Sequence, residues 1–370
     1  MNILHIAPIT FKKSSGVSTV VPEIIQNQNK IDGVNSALLN CSKVDSKTLE
    51  IEKEKFDFKM FDNKYCYPFD LDRLESPFDK PDIVIIHNTY FIVYKKISKY
   101  LMRNNIPYIL VPHGSMTEEA QNIKKRKKII GNLTFFNQLV KGATRIQYLS
   151  EGEAQNSKKW NKKFITIGNG VDSPEYYNTK KIKQNPGQIN LNFIGRLDIN
   201  YKGLDNLLKA SLYAKDILKE NKATINLYGP DQDENQLKIE NFIADNQLND
   251  VVCLKGPVYG NDKQEVYLDT DIFILPSRSE GLPTAVLEAL SYGVPCLLTP
   301  GTNMANEVEK YECGWKTEAN PDDIAIKIKF ILEDFSDFGK FKNNARSLIE
   351  KKYSWKSISE IAIQEYRKLI

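Results

Sequence analysis

Two carboxylates eight residues apart, Glu280 and Glu288, sit in the segment Ser277–Ala289, SRSEGLPTAVLEA. The apolar run Ile272–Leu275 precedes them and reads as a strand. Gly281 permits a tight turn and Pro283 suits the first turn of a helix. The backbone N–H groups of Gly281, Leu282 and Thr284 are then left to face an anion, which makes a phosphate cradle at a helix start. Glu280 lies before that turn and Glu288 lies inside the helix. Their spacing gives them different stations along one bound ligand. It does not pair them for proton transfer across a single bond.

A second motif, Gly195–Gly203 or GRLDINYKG, leaves the run Ile189–Ile194 and enters a helix. Arg196 offers a planar fork of donors and Lys202 a mobile point charge, six residues apart across a loop. Together they suit adjacent phosphates. Breaking a sugar–diphosphate bond builds negative charge on the leaving group, and fixed cations there favour the transition state over the ground state. With no DxD pair in suitable context, these two groups would do at the donor diphosphate the job that a divalent metal does elsewhere, and no cofactor is expected. The first loop, Ser14–Thr19 or SSGVST, allows close backbone approach at Gly16 and Val17 but lacks dinucleotide GxGxxG spacing. Three histidines are present. His5 lies in a buried strand pattern and reads as a core residue, and His87 ends a strand. His113 ends the run Ile106–Val111 before Gly114, where an open parallel sheet places functional side chains. Gly229 follows Thr224–Tyr228 and is expected to let a nucleotide approach. Gly168–Asp172, GNGVD, reads as a hinge turn.

The elements that position these groups alternate, strand then helix, in two series. That alternation predicts α/β architecture: two Rossmann-like domains of parallel sheet facing across a cleft, with the ligand between them. The expected bounds are 1–173 for an acceptor-side domain, 174–188 for a linker and 189–353 for a nucleotide-sugar domain. Residues 354–370 form a last helix. A long helical region is expected from Met116 to about Gly142. The stretch Ser42–Asp79 has no clear periodicity. A chain of 370 residues exceeds one ordinary core. The five cysteines, Cys41, Cys66, Cys253, Cys296 and Cys313, form no CxxC pair, which argues against a disulfide framework or zinc and for a reducing compartment. The opening residues do not read as a secretory signal, and no apolar run reaches membrane-helix length. Charge is uneven: from Lys95 to Lys163 there are 15 Lys or Arg and 4 Glu, with KKRKK at Lys124–Lys128. Such a stretch reads either as a solvated basic face or as one that meets anionic headgroups or a lipid-diphosphate acceptor. Aromatics do not alternate with the cations, so nucleic acid is not expected.

Taken together these motifs resemble the retaining glycosyltransferase family 4, whose two-domain arrangement is called GT-B. The resemblance implies that Glu280 contacts the donor sugar, Glu288 the ribose, and Arg196 and Lys202 the diphosphate. It sets Gly16 in the glycine loop, where relatives carry two glycines against Ser15–Gly16 here. It places His113 by the donor sugar, Glu118 on the acceptor side, and the last helix back on the N-terminal domain. It implies metal-independent, retaining transfer of a hexosyl or N-acetylhexosaminyl group, UDP being the favoured nucleotide, with the leaving phosphate taking the acceptor's proton. The acceptor would be a glycan or lipid-linked glycan in cell-surface polysaccharide synthesis. The expected location is cytoplasmic, with peripheral contact on the inner membrane face. The alternatives are a nucleotide-sugar 2-epimerase of the same architecture and a catalytically silent partner subunit.

Overall fold

The computed structural model describes residues 1–11, 16–122, 125–160, 163–172, 174, 187–333 and 336–370, leaving aside the side chains of Ser46, Phe135 and Lys158. The chain divides into two units: Met1–Gly170 with Trp355–Ile370, and Val171–Ser354. Most of the expected linker, 174–188, lies outside the described residues, as do Ser14, Ser15 and Lys124.

Among the described residues the first unit holds seven strands: β1 Asn2–Ala7, β2 Asn35–Asn40, β3 Met60–Phe61, β4 Ile83–His87, β5 Tyr108–Val111, β6 Arg145–Tyr148 and β7 Phe164–Thr166. They run parallel in the order β3-β2-β1-β4-β5-β6-β7. β4 and β5 are buried along their whole length. Helices cover both faces of such a sheet, which is why IVIIH and YILV are apolar runs and not alternating ones. The second unit holds β8 Ile189–Ile194, β9 Ala223–Tyr228, β10 Val252–Gly256, β11 Ile272–Leu275, β12 Cys296–Leu298 and β13 Gly314–Lys316. These are parallel in the order β10-β9-β8-β11-β12-β13. Strand order reverses between β1 and β4 in one sheet and between β8 and β11 in the other. Beyond the carboxyl ends of strands at such a reversal, neighbouring connections diverge and leave a crevice for ligands.

The last helix, Trp355–Arg367, buries Trp355, Ile358, Ser359, Ala362, Ile363 and Tyr366, a single stripe at helical spacing. It packs on the helix Gly16–Gln28 of the first unit, where Trp355 meets Val20 and Ile24. The Tyr366 hydroxyl donates to Gln147 Oε1 at 2.7 Å. The turn read as a hinge has a packing reason for its glycine: a Cβ at Gly170 would fall 2.2 Å from the Trp355 ring.

Several elements differ from expectation. The stretch Ser42–Asp79 contains the helix Ser46–Lys55, capped by Asp45 accepting from Thr48 N–H, and β3. The expected long helix is instead a series: Glu118–Asn122, Lys125–Gly131, a π-helical turn Asn132–Phe136, and Asn137–Gly142. The Gly195–Gly203 connection is not plain loop. It contains the helical turn Ile199–Lys202, with Asp198 accepting from Tyr201 N–H and Gly203 closing it at φ +66°. Among the described residues no helix is long and apolar enough to cross a membrane.

Candidate active site

Lys202 ends the turn Ile199–Lys202, and its Nζ lies 2.6 Å from Glu280 Oε1, with both side chains only 16% exposed. Ser277 Oγ donates to the same carboxylate oxygen at 2.8 Å. These groups sit where β8 and β11 end, at the reversal of the second sheet. The lysine stem passes near the end of β8, for a Cβ at Gly195 would lie 3.7 Å from Lys202 Cε. A fork holds the two connections together. Arg278 donates NH1 to Asp205 Oδ1 at 2.7 Å and NH2 to Oδ2 at 2.8 Å, and also reaches the Asn200 carbonyl at 2.8 Å. Burial opposes ionisation of Asp205, but the Arg278 fork outweighs it and keeps the carboxyl below its usual value. Gly203 is needed for the same approach: a Cβ there would lie 2.1 Å from the Pro276 carbonyl oxygen.

The backbone around Glu280 is pinned from the next connection. Glu280 N–H donates to the Gly301 carbonyl at 2.8 Å. Asn303 Nδ2, on a residue at φ +60°, donates to the carbonyls of Glu280 at 2.5 Å and Gly281 at 3.1 Å. The helix Thr284–Ser291 then begins with Pro283 at its N-cap and no side-chain cap. Among the described residues the amides of Gly281, Leu282 and Thr284 donate to no protein group. They are the unpaired first donors of a helix, at its positive end. The Leu282 side chain is buried.

Glu288 occupies a separate station. Its Oε2 accepts from the Tyr267 hydroxyl at 2.7 Å and lies 2.6 Å from Lys263 Nζ. Burial first, and then the Glu288 charge, push the Tyr267 hydroxyl well above the usual phenol range, which fixes it as a donor. Arg196 is exposed at the end of β8, its NH1 donating to Gln232 Oε1 at 3.0 Å. Gly229 N–H donates to the Gly256 carbonyl at 2.9 Å, and a Cβ at Gly229 would fall 1.7 Å from the Gly195 carbonyl oxygen. The absent side chain there makes room for the neighbouring connection.

The remaining residues belong to the first unit. Gly16 opens the helix Gly16–Gln28 with free space around it, and Val17 packs on the apolar cluster of Ala7, Ile9 and Val21. Glu118 is exposed at the start of its short helix. His113 is half-buried after β5, at φ +50°, and burial lowers its pKa to about 4. Its loop is held by buried Glu153, whose carboxylate oxygens accept from Gly114 N–H at 2.5 Å and Leu149 N–H at 2.7 Å. Burial raises Glu153 to about 7 against the pull of those two amides. Sequence reasoning missed Asn303, Lys263, Tyr267 and Glu153, which hold the candidate groups or their loops from distant positions. Ser277 stood in the quoted motif, three residues before Glu280. Among the described residues no group of three or more His, Cys, Asp or Glu could hold a metal ion.

Residues 177–348 match the family model described as Glycosyl transferases group 1. This corrects the expectation of family 4, since the matching model is that of group 1. The fold is GT-B. The chain superposes over its full length on the Anabaena protein HepE, solved with UDP and glucose, at a TM-score of 0.72 and 16% identity, covering 100% of each chain. It does so equally on the lipopolysaccharide outer core galactosyltransferase WaaB, at 0.72 and 16%, again covering 100% of each. An uncharacterized glycosyltransferase of Methanocaldococcus jannaschii is 27% identical over 177 residues, 47% of this chain and 44% of that protein. The UDP-Gal:alpha-D-GlcNAc-diphosphoundecaprenol alpha-1,3-galactosyltransferase of Escherichia coli is 34% identical over 116 residues, 31% of this chain and 29% of that protein. The chain thus spans less than half the length of each of these curated relatives.

Proposed function

We propose that the chain is a glycosyltransferase that moves a hexosyl or N-acetylhexosaminyl group from a nucleotide diphosphate sugar to a glycan or lipid-linked acceptor. The observation that carries this reading is the 2.6 Å contact of Lys202 with Glu280 at the sheet reversal, next in sequence to the unpaired amides of Gly281, Leu282 and Thr284. A cation for phosphate and a carboxylate for sugar hydroxyls meet there, as they must where the sugar–phosphate bond breaks. Arg196 and Lys202 steady the charge that develops on the leaving diphosphate, in place of a divalent cation. Glu288, oriented by Tyr267 and Lys263, takes the ribose diol. UDP is the proposed nucleotide, in keeping with the UDP bound by HepE and the UDP-galactose named for the E. coli relative.

Retention of configuration is part of the proposal. Glu280 and Glu288 are held by different partners, and in this reading they take the sugar hydroxyls and the ribose, so neither is assigned the acceptor's proton. The leaving phosphate oxygen then takes the acceptor's proton as the acceptor attacks from the same face. We further propose that the chain works in cell-surface polysaccharide or glycoconjugate synthesis, in the cytoplasm at an anionic membrane surface. In that setting Glu118 would lie on the acceptor side.

The test is substitution at the contact. Glu280→Ala should lower turnover by about two to three orders of magnitude, as for loss of one transition-state contact, with the fold intact. Arg196→Ala and Lys202→Ala should each weaken UDP binding about tenfold by calorimetry. Unchanged activity in all three variants would end the assignment. Interconversion of UDP-sugars without any acceptor would point to an epimerase instead.

A further inference from the structure

The chain has three histidines, and all three join in one hydrogen-bonded row. His5 stands in β1, His87 ends β4 and His113 follows β5. These strands are consecutive neighbours in the first sheet, so the rings line up across it. His5 Nδ1 lies 2.9 Å from His87 Nε2, and His87 Nδ1 lies 2.9 Å from His113 Nε2. At the inner end His5 Nε2 is 2.9 Å from Gln28 Oε1, which also accepts from Ser36 Oγ at 2.8 Å. At the outer end His113 Nδ1 makes no hydrogen bond among the described residues, and it is not one of the buried unpartnered atoms. It is the one ring nitrogen of the row left open to a ligand.

Proton counting fixes the direction of this row. A neutral imidazole carries one N–H, and each contact between rings needs one proton. Burial holds His5 and His113 near 4 and His87 well below its ordinary value, so the rings are neutral at physiological pH. Gln28 Oε1 has no proton to give, so His5 donates from Nε2. His5 Nδ1 is then an acceptor and takes the proton of His87 Nε2. By the same step His87 Nδ1 accepts from His113 Nε2. The Nδ1 of His113 keeps its lone pair. Turning the Gln28 amide over would reverse every bond and put the proton on that nitrogen. Gln28 turns Oε1, not its amide nitrogen, toward both His5 and the donating Ser36 hydroxyl, and the direction of the row rests on that orientation.

We infer that Gln28, His5 and His87 are positioning residues that set the tautomer of His113, so that it meets its ligand through an Nδ1 lone pair. A lone pair accepts from a sugar hydroxyl and repels a phosphate oxygen. The row therefore gives His113 a preference for the sugar end of a nucleotide sugar over its diphosphate. The sugar part rests on the function proposed above; the tautomer part does not.

Long-range proton–nitrogen correlation on histidine-labelled protein near neutral pH reads the tautomers directly. The expected spectrum has all three rings protonated at Nε2 alone. A proton on Nδ1 of His113 would overturn the inference. Gln28→Glu, which ends the row in a group that only accepts, should keep the pattern. Gln28→Leu removes the acceptor and should bring Nδ1-protonated His113 into the spectrum; an unchanged spectrum would show that Gln28 does not set the row. Gln28→Leu should also weaken UDP-sugar binding about tenfold, the worth of one hydrogen bond, and leave UDP binding unchanged. Equal weakening of both would overturn the sugar preference. A correct spectrum in a protein that binds no nucleotide sugar would leave the tautomer assignment standing and remove the functional reading alone.

Discussion

Glu153 and the three histidines show how burial acts on single residues with opposite consequences. Each ring loses affinity for its proton because the charged form is poorly solvated. His5, for example, falls from 6.5 to about 4. The unfolded chain then binds more protons than the folded one as pH drops through that interval, and stability falls with it. Glu153 is raised from 4.5 to about 7, so its contribution is full below 4.5 and is lost as pH rises through 7. Where both operate, three rings oppose one carboxyl, and the rings prevail. Urea unfolding should therefore show stability falling from pH 6.5 toward 4, with a slope on the order of 1.4 kcal/mol per pH unit for each net proton, about two in all. His113→Asn should lower that slope; a flat profile would contradict the buried neutral row. Single residues also mark the limit of sequence reading. Glu280, Glu288, Lys202 and Arg196 could be nominated by type and spacing. Lys263 and Asn303 did not, because nothing near them in the chain hints at the group they hold.

At the scale of elements, the site depends on how closely two connections approach. The turn Ile199–Lys202 must end in the left-handed region and run under the Pro276 carbonyl, and only glycine allows both. Gly203→Ala should cost about 3 kcal/mol, from the left-handed penalty and the clash together, and should shift Lys202 away from Glu280. Gly33→Ala is the control. Its φ of +73° is similar, but the space around it is open, so only the smaller backbone penalty of about 1 kcal/mol should appear. Comparable losses by denaturant titration would mean that the close approach has no energetic weight. The elements themselves were legible in part. β8 and β11 fall at the residues their runs predict. β3 and β13, of two and three residues, did not show in the sequence, because strands so short owe their form to the neighbour they pair with. The series of helices after Glu118 kept a helical composition, and its π-turn left no pattern to read.

For the molecule as a whole, the basic bias of Lys95–Lys163 gains a surface. Lys125, Arg126 and Lys127 are exposed, and beside them Ile129, Ile130 and Leu133 are 48%, 63% and 76% exposed. Cations next to bare apolar side chains suit an anionic lipid interface, where headgroups meet the charges and acyl chains the isoleucines. The protein should cosediment with vesicles containing phosphatidylserine, and less so as salt rises. Ile130→Asp with Leu133→Asp should abolish that binding and leave UDP binding unchanged; binding that survives both substitutions would rule out this patch, and no vesicle binding by the unchanged protein would remove the membrane from the proposal.

The sequence by itself marked runs such as Ile189–Ile194 and Ile272–Leu275 and the places where those strands give way to glycine turns. It thereby named the motifs at the two sheet reversals, since local sterics and apolar spacing act within a few residues. Only the tertiary structure decided which groups meet. Lys202 and Glu280 are 78 residues apart, and His5 and His87 are 82 apart. Such meetings depend on strand order and register, which are set by the packing of whole sheets and leave no trace in the spacing of the residues they join.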